Sequence, residues 1–272
     1  MTTDARRLFI TLRGWDLDRQ TIGMSAEIAA LMRADLEALL MQEDEFPLAR
    51  EFQPSINEWK LIDPERIRAE VLAIGRRAAR LVEEAARATG IVGRFEIAKG
   101  NPAARLAERV GERDIVAVIE PSVPHGGSFM SEPETILYRA AATLLLPRRT
   151  ARRKGAVAAL VHGPSDPALA LAAEIAFVSG NPLILLIAAD GERRQPIAER
   201  AVAAGLPRAR IRIMELPCLD TQAVLAALEY AGERVIVLSR RVGEAAGDVI
   251  PADIKSARRV PLLLVEPESA QS

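Results

Sequence analysis

The sequence is poorest in the residues that would announce a chemistry. Cys218 is its 1 cysteine, so a disulfide framework and a thiolate zinc cage are both excluded within one chain. Histidines number 2, and aromatic residues make up 4% of the chain. That leaves little material for stacking on nucleobases. No apolar run approaches the roughly 20 residues needed to span a bilayer. The formal net charge is -1, so no global field draws the protein toward nucleic acid or an anionic membrane. Met1 to Arg7 run straight into an apolar segment and are read as leaving no room for a signal peptide. The expectation is a cytoplasmic protein with neither nucleic acid nor membrane as partner.

What the sequence does have is aliphatic material in a repeating order. Apolar residues make up 49% and charged residues 27%, the balance of an ordinary globular chain. A length of 272 residues fits two domains. Two halves follow the same plan. Each opens on a short apolar run, Leu8-Phe9-Ile10-Thr11-Leu12 and Ala156-Val157-Ala158-Ala159-Leu160-Val161. Each closes on three leucines, Leu144-Leu145-Leu146 and Leu262-Leu263-Leu264. Amphipathic helical spacing alternates with apolar runs in between, the pattern of a parallel sheet covered on both faces.

In the first half the pattern predicts strands at 8–12, 36–41, 95–98, 115–119 and 144–146. Helices are predicted at 18–33, 65–89, 102–110 and 134–142, with Asn101-Pro102 starting the third. Gln42 to Pro64 is polar, Pro-punctuated and long for a connection, and reads as an insertion. In the second half strands are predicted near 156–161, 183–188, 210–215, 234–238 and 261–265, with helices near 167–178, 192–204 and 221–230. A short, poorly formed helix is predicted within 242–257. Arg148 to Gly155 joins the halves; its basic residues suit phosphate or nucleic acid, but a solvated linker is the simpler reading.

Five strands with helices between them, twice over, and Asn101-Pro102 opening the third helix, resemble a tandem universal stress protein. The stretch Leu36 to Asp44 followed by Phe46 to Glu51 resembles a subgroup of proteobacterial proteins of this type. The resemblance implies an α/β fold of two universal stress-like (adenine nucleotide alpha hydrolase-like) domains, 1–150 and 151–272. Each would be a five-stranded parallel sheet of order 3-2-1-4-5 flanked by helices. It also implies pairing of the two domains along their fifth strands. Members that bind nucleotide place an acidic residue at the end of the first strand. They wrap the phosphates in a loop after the fourth, Gly-x2-Gly-x9-Gly-Ser/Thr, whose backbone N–H groups hold the anion.

This chain departs from that pattern in both halves. Arg13-Gly14-Trp15-Asp16 follows the first strand, with Asp16 displaced; His162 occupies the corresponding acidic position in the second half. After the fourth strands stand Pro121-Ser122-Val123-Pro124-His125-Gly126-Gly127-Ser128 and Ser239-Arg240-Arg241-Val242-Gly243, neither closed by Gly-Ser. His125, Gly126, Gly127 and Ser128 form a candidate anion loop, because adjacent glycines let backbone amides approach a ligand closely. Ser239, Arg240 and Arg241 form another, because guanidinium groups hold phosphate bidentately. Asp16 and His162 complete the candidates.

Several other constellations have simpler readings. His162, Ser165 and Asp166 or Asp220 hold the ingredients of a hydrolase triad, but no nucleophile elbow frames them, and Asp166-Pro167 reads as a helix start. Glu43, Asp44 and Glu45 read as solvated acids rather than metal ligands. Trp15 and Trp59 read as packing residues. The expectation is a non-enzymatic stress-response protein binding a small ligand or a protein partner, with neither cofactor nor metal. ATP or AMP binding with slow ATPase activity is the alternative. A homodimer is expected, with the 42–64 insertion contributing surface.

Overall fold

The computed structural model describes residues 6–12, 17–42, 64–99, 102–119, 140–147, 154–189, 193–240 and 249–265. In the first half β1 (Arg7–Leu12), α1 (Arg19–Leu31), β2 (Asp35–Gln42), α2 (Pro64–Thr89), β3 (Gly93–Lys99), α3 (Pro102–Arg109), β4 (Ile115–Ile119) and β5 (Ala142–Leu146) follow in order. The second half holds β6 (Ala156–Leu160), α4 (Pro167–Ser179), β7 (Leu183–Ala188), α5 (Arg194–Ala203), β8 (Ile211–Leu216), α6 (Thr221–Leu228), β9 (Glu233–Ser239), α7 (Pro251–Arg258) and β10 (Leu262–Val265). The predicted strands are all present, with ends that differ from the predicted ones by no more than two residues. The helix predicted to end at Ala142 does not reach that far. Ala140 and Ala141 are not helical, and Ala142 already pairs in the sheet with Ile115. The weak helix predicted within 242–257 is α7, which opens on Pro251. The insertion from Gln42 to Pro64 and the basic run Arg148 to Arg153 lie almost wholly outside the described residues.

The strands form one ten-stranded sheet of order β3-β2-β1-β4-β5-β10-β9-β6-β7-β8. Each half thus has the order 3-2-1-4-5. Neighbours run parallel within each half, and β5 meets β10 antiparallel, with Leu145 opposite Leu262 and Leu144 opposite Leu263. The fifth strands consist of residues no more than 8% exposed. Left as edges, they would show apolar side chains and unpaired backbone groups to water. Pairing them with each other covers both.

Two consequences position the candidate sites. On one face, Leu144, Leu146, Leu263 and Val265 join Leu8, Ile10, Val157 and Ala159 in a single core that crosses the seam. Helices α1 and α4 pack together over it. Arg6 reaches Glu174 of α4 at 3.3 Å and Arg234 of β9 reaches Glu27 of α1 at 3.9 Å, so each half also grips the other's helix. On the opposite face lie two smaller cores, one around Phe9, Leu106 and Val116 in the first half and one around Leu186, Leu228 and Leu262 in the second, which also takes in Leu145 of β5. The antiparallel seam also turns the two halves end for end. The carboxyl ends of the first half's strands face one edge of the sheet, and those of the second half face the other.

Gly155 enters β6 at φ 146. A Cβ there would lie 2.0 Å from the carbonyl oxygen of Gly232, beside the Ala156 N–H to Gly232 hydrogen bond of 3.2 Å. Only glycine allows that approach. Gly155→Ala should lower stability by about 1–3 kcal/mol, the range for a strained backbone position, read from urea unfolding. At the seam, Leu145→Glu should exceed the roughly 2–5 kcal/mol of a buried Leu→Ala change, since it also buries a carboxylate. An unfolding curve for that variant matching the parent would show that the seam does not hold the halves together.

Candidate functional site

In a doubly wound sheet, ligands settle in the crevice outside the carboxyl ends of the strands, where strand order reverses. In the second half that place lies between β6 and β9. Strand β6 runs out through Val161 into His162-Gly163-Pro164-Ser165, and Asp166 then starts α4. Asp166 has extended backbone, Pro167 follows at the first helical turn, and its Oδ1 accepts the Ala168 N–H at 2.9 Å. That is an N-cap, as Asp-Pro predicts. The same carboxylate does two further things. Its Oδ2 accepts the backbone N–H of His162 at 2.9 Å, and its Oδ1 accepts the hydroxyl of Ser239, the last residue of β9. One side chain therefore ties the ends of the second half's first and fourth strands to a helix N-terminus.

Around it the other candidates take different places. The His162 carbonyl accepts Arg193 Nη1 at 2.7 Å. His162 Nε2 is buried with no hydrogen-bond partner among the described residues. Arg240 is the residue after β9. Its backbone N–H bonds Val265 O at 2.8 Å, and its Nη2 donates to the Thr143 hydroxyl on β5. The antiparallel seam explains the reach, because the carboxyl end of β10 lies beside the start of β5. Arg240 is thus a link between halves as well as a charge at the crevice.

The hydrolase constellation does not assemble. The Asp166 carboxylate is taken up by the Ala168 and His162 amides and the Ser239 hydroxyl, and His162 Nε2 bonds neither Ser165 nor any other group among the described residues. Asp220 is a second cap, on α6, accepting the Ala223 N–H at 2.7 Å. It also accepts the Cys218 thiol at 2.9 Å. The Ala223 amide holds the Asp220 carboxyl below its ordinary range, and the bond to Asp220 raises the Cys218 thiol. That is the opposite of what a reactive thiolate needs.

Asp16, His125, Gly126, Gly127, Ser128 and Arg241 lie outside the described residues, as do Trp15, Trp59 and the acids Glu43, Asp44 and Glu45. The first half nevertheless shows a counterpart of Asp166. Asp18 caps α1, accepting the N–H groups of Gln20 at 3.1 Å and Thr21 at 3.3 Å. Among the described residues, no group of three or more His, Cys, Asp or Glu side chains is placed to hold a metal. Nor is any described helix long and apolar enough to cross a membrane.

Solved structures match this architecture over nearly its whole length. A universal stress protein from Archaeoglobus fulgidus is 13% identical with a TM-score of 0.60, covering 97% of this chain and 100% of that one. A functionally unknown protein from Pseudomonas aeruginosa is 13% identical with a TM-score of 0.57, covering 97% and 94% of the two chains. A candidate universal stress protein from another strain of that species is 14% identical, with a TM-score of 0.56 and the same coverage. The fold is that of the universal stress proteins. No family model matches the sequence, and no curated protein matches it either.

Asp166, His162 and Ser239 come together where β6 and β9 end, and His162 and Ser239 are among the residues singled out from the sequence. From the sequence, Asp166 is weighed as a triad acid and read as a helix start, not as a link between strand ends. Sequence reasoning also missed Arg193 and Thr143, whose roles depend on contacts 31 and 97 residues away in sequence.

Asp166→Ala should cost about 0.5–2 kcal/mol for the cap and roughly 1–3 kcal/mol more for stranding a buried donor. Asp166→Asn, which keeps an acceptor oxygen, should cost less; urea unfolding of the pair separates the two contributions. Cys218 should alkylate with iodoacetamide more slowly than a free cysteine thiol at the same pH, and Asp220→Asn should speed the reaction at a fixed alkaline pH. The Asp220 carboxyl is depressed on folding, so its capping stabilisation is present above the unfolded pKa of about 3.9 and is lost as pH falls through the lower folded value.

Proposed function

We propose that this protein is a universal stress-like binding protein of the cytoplasm, built of domains 1–150 and 151–272, which holds a small polar ligand or a protein partner and turns over no substrate. The observation that carries this reading is the Asp166 carboxylate at the second crevice. A helix N-terminus with free amides attracts phosphate. Here an internal carboxylate already takes the Ala168 and His162 amides and the Ser239 hydroxyl. A polyphosphate arriving there would meet a fixed like charge in a partly desolvated place. Neutral or cationic ligands meet no such penalty. The Nε2 of His162 offers one buried hydrogen-bonding atom nearby, with no partner among the described residues.

In this reading His162, Ser239 and Arg240 bear on ligand at the second crevice, with Arg241 beside them in the chain. Asp16, His125, Gly126, Gly127 and Ser128 serve the first half. Because the crevices face opposite edges of the sheet, any ligand or anion held by one half is bound independently of the other. The protein then works as a scaffold with two separate mouths, in a stress response whose signal the ligand would supply.

Native mass spectrometry of the purified protein followed by ATP and AMP calorimetry tests this. Neither nucleotide should copurify or bind tightly. Removing the charge with Asp166→Asn should raise affinity for AMP by roughly tenfold, the worth of about 1.4 kcal/mol of like-charge repulsion. ATP binding to the parent protein with micromolar affinity would overturn the reading and favour a nucleotide-binding protein with slow ATPase activity.

A further inference from the structure

Among the described residues, the ten-stranded sheet ends in β3 on one side and β8 on the other. An edge strand presents a row of backbone groups that a further strand can pair with. On β3 the direction of those groups follows from its ladder with β2. The Leu36 N–H donates to Val92 O at 2.9 Å, so residues 92, 94 and 96 turn their backbone groups toward β2. Gly93, Phe95 and Ile97 therefore turn theirs to the open side.

The side chains alternate just as regularly. Phe95 and Ile97 pack toward the large core, where Ile97 lies against Gly75 of α2. Arg94 and Glu96 lie on the other face. Arg94 Nη1 reaches Glu37 at 3.0 Å with 61% of its side chain still exposed, and Glu96 accepts Arg109 Nη2 at 2.5 Å with 49% exposed. Val92, just before the strand, is 52% exposed.

A second copy pairing antiparallel about a twofold axis must keep each face on its own side, so the axis passes through a single residue position. Centred on Phe95, the pairing sets Phe95 against Phe95 and Gly93 against Ile97 as hydrogen-bonded pairs, using only outward-facing backbone groups. It also sets Arg94 against Glu96, twice, at the positions between, where side chains of opposed residues come closest. Glu37, Arg94, the second copy's Glu96 and its Arg109 then form a row of alternating sign. The other edge has no such match. On β8, Leu216 O accepts the Ala189 N–H at 2.9 Å, so Ile211, Ile213 and Glu215 face outward. A twofold through Ile213 opposes Arg212 to Met214.

We propose that β3 is the docking edge for a second copy of this chain, joined by antiparallel β3–β3 pairing centred on Phe95, with Arg94–Glu96 ion pairs across the twofold. The occupant is the same chain because the strand is complementary to itself in charge, in backbone register and in its central aromatic.

Sedimentation of the parent protein at rising concentration should give twice the chain mass. The Phe95 and Ile97 amides should gain protection from hydrogen exchange as the dimer forms. Arg94→Glu and Glu96→Arg each oppose like charges at the interface, and each should halve the sedimenting mass while leaving the far-ultraviolet circular dichroism unchanged. An equimolar mixture of the two variants restores complementary charge at both positions and should sediment as a dimer. A parent that stays monomeric, with the edge bare or covered by residues 43–63 of its own chain, would overturn the proposal. So would single variants that remain dimeric, a mixture that stays monomeric, or rapid exchange at Phe95 and Ile97 in a parent dimer.

Discussion

Backbone hydrogen bonds between β5 and β10 decide how everything else in this molecule is arranged. Both strands are apolar on both faces, so each half alone would end in an edge that water cannot solvate well. Joining them turns two five-stranded sheets into one, and the antiparallel sense brings the start of β5 beside the end of β10. From that follow the core shared across the seam and the packing of α1 on α4. The reach of Arg240 to Thr143 also follows, as does the opposition of the two crevices. Without the seam the Arg6–Glu174 and Arg234–Glu27 pairs would have no partners. Those pairs are partly exposed and contribute little on their own; they fix the relative rotation of halves that the leucines hold together.

The second crevice illustrates how an ordinary structural device can tie several elements together. An aspartate cap is worth about 1 kcal/mol to a helix and is found in many proteins. At Asp166 the cap sits where β6 and β9 end side by side. Its second oxygen and remaining lone pairs are therefore spent on both strand ends. The carboxylate rigidifies the mouth, and it places a negative charge where an anion would otherwise find free amides. Asp18 in the first half uses its oxygens differently, on Gln20 and on the amide and hydroxyl of Thr21. The two mouths are therefore not chemically equivalent, although the sheet around them is nearly symmetric.

The strands were legible because a buried parallel strand leaves an unmistakable mark: Leu183 to Ile187 has no polar residue at all, and every one is buried. Strand order and the seam came from the family resemblance, supported by the triple leucines, whose apolar character forbids an edge. The helix expected up to Ala142 failed because pairing with β4 outweighs the helix propensity of alanine there. The cap at Asp166 was visible in Asp-Pro; its bond to Ser239 was not, because nothing local connects residues 73 apart. Arg193 and Thr143 escaped for the same reason.

The contrast between seam and edges carries this one step further. Inside the molecule the chain hides its most apolar strand ends by pairing them. At the outer ends it leaves β3 and β8, whose exposed faces carry Arg94, Glu96, Arg212 and Glu215. Charges on an edge strand normally oppose further pairing, because an incoming strand must desolvate them. Opposition holds only while the newcomer offers no complementary charge in register. On β8 the intervening Ile213 and Met214 put Arg212 and Glu215 on opposite faces, so a symmetric partner cannot neutralise both, and the edge stays guarded. On β3 the spacing of two between Arg94 and Glu96 puts both on one face, and the guard works against strangers but not against the same strand turned about. The alternation of a β-strand, with period two, thus sets which edge of this sheet is closed and which is selective.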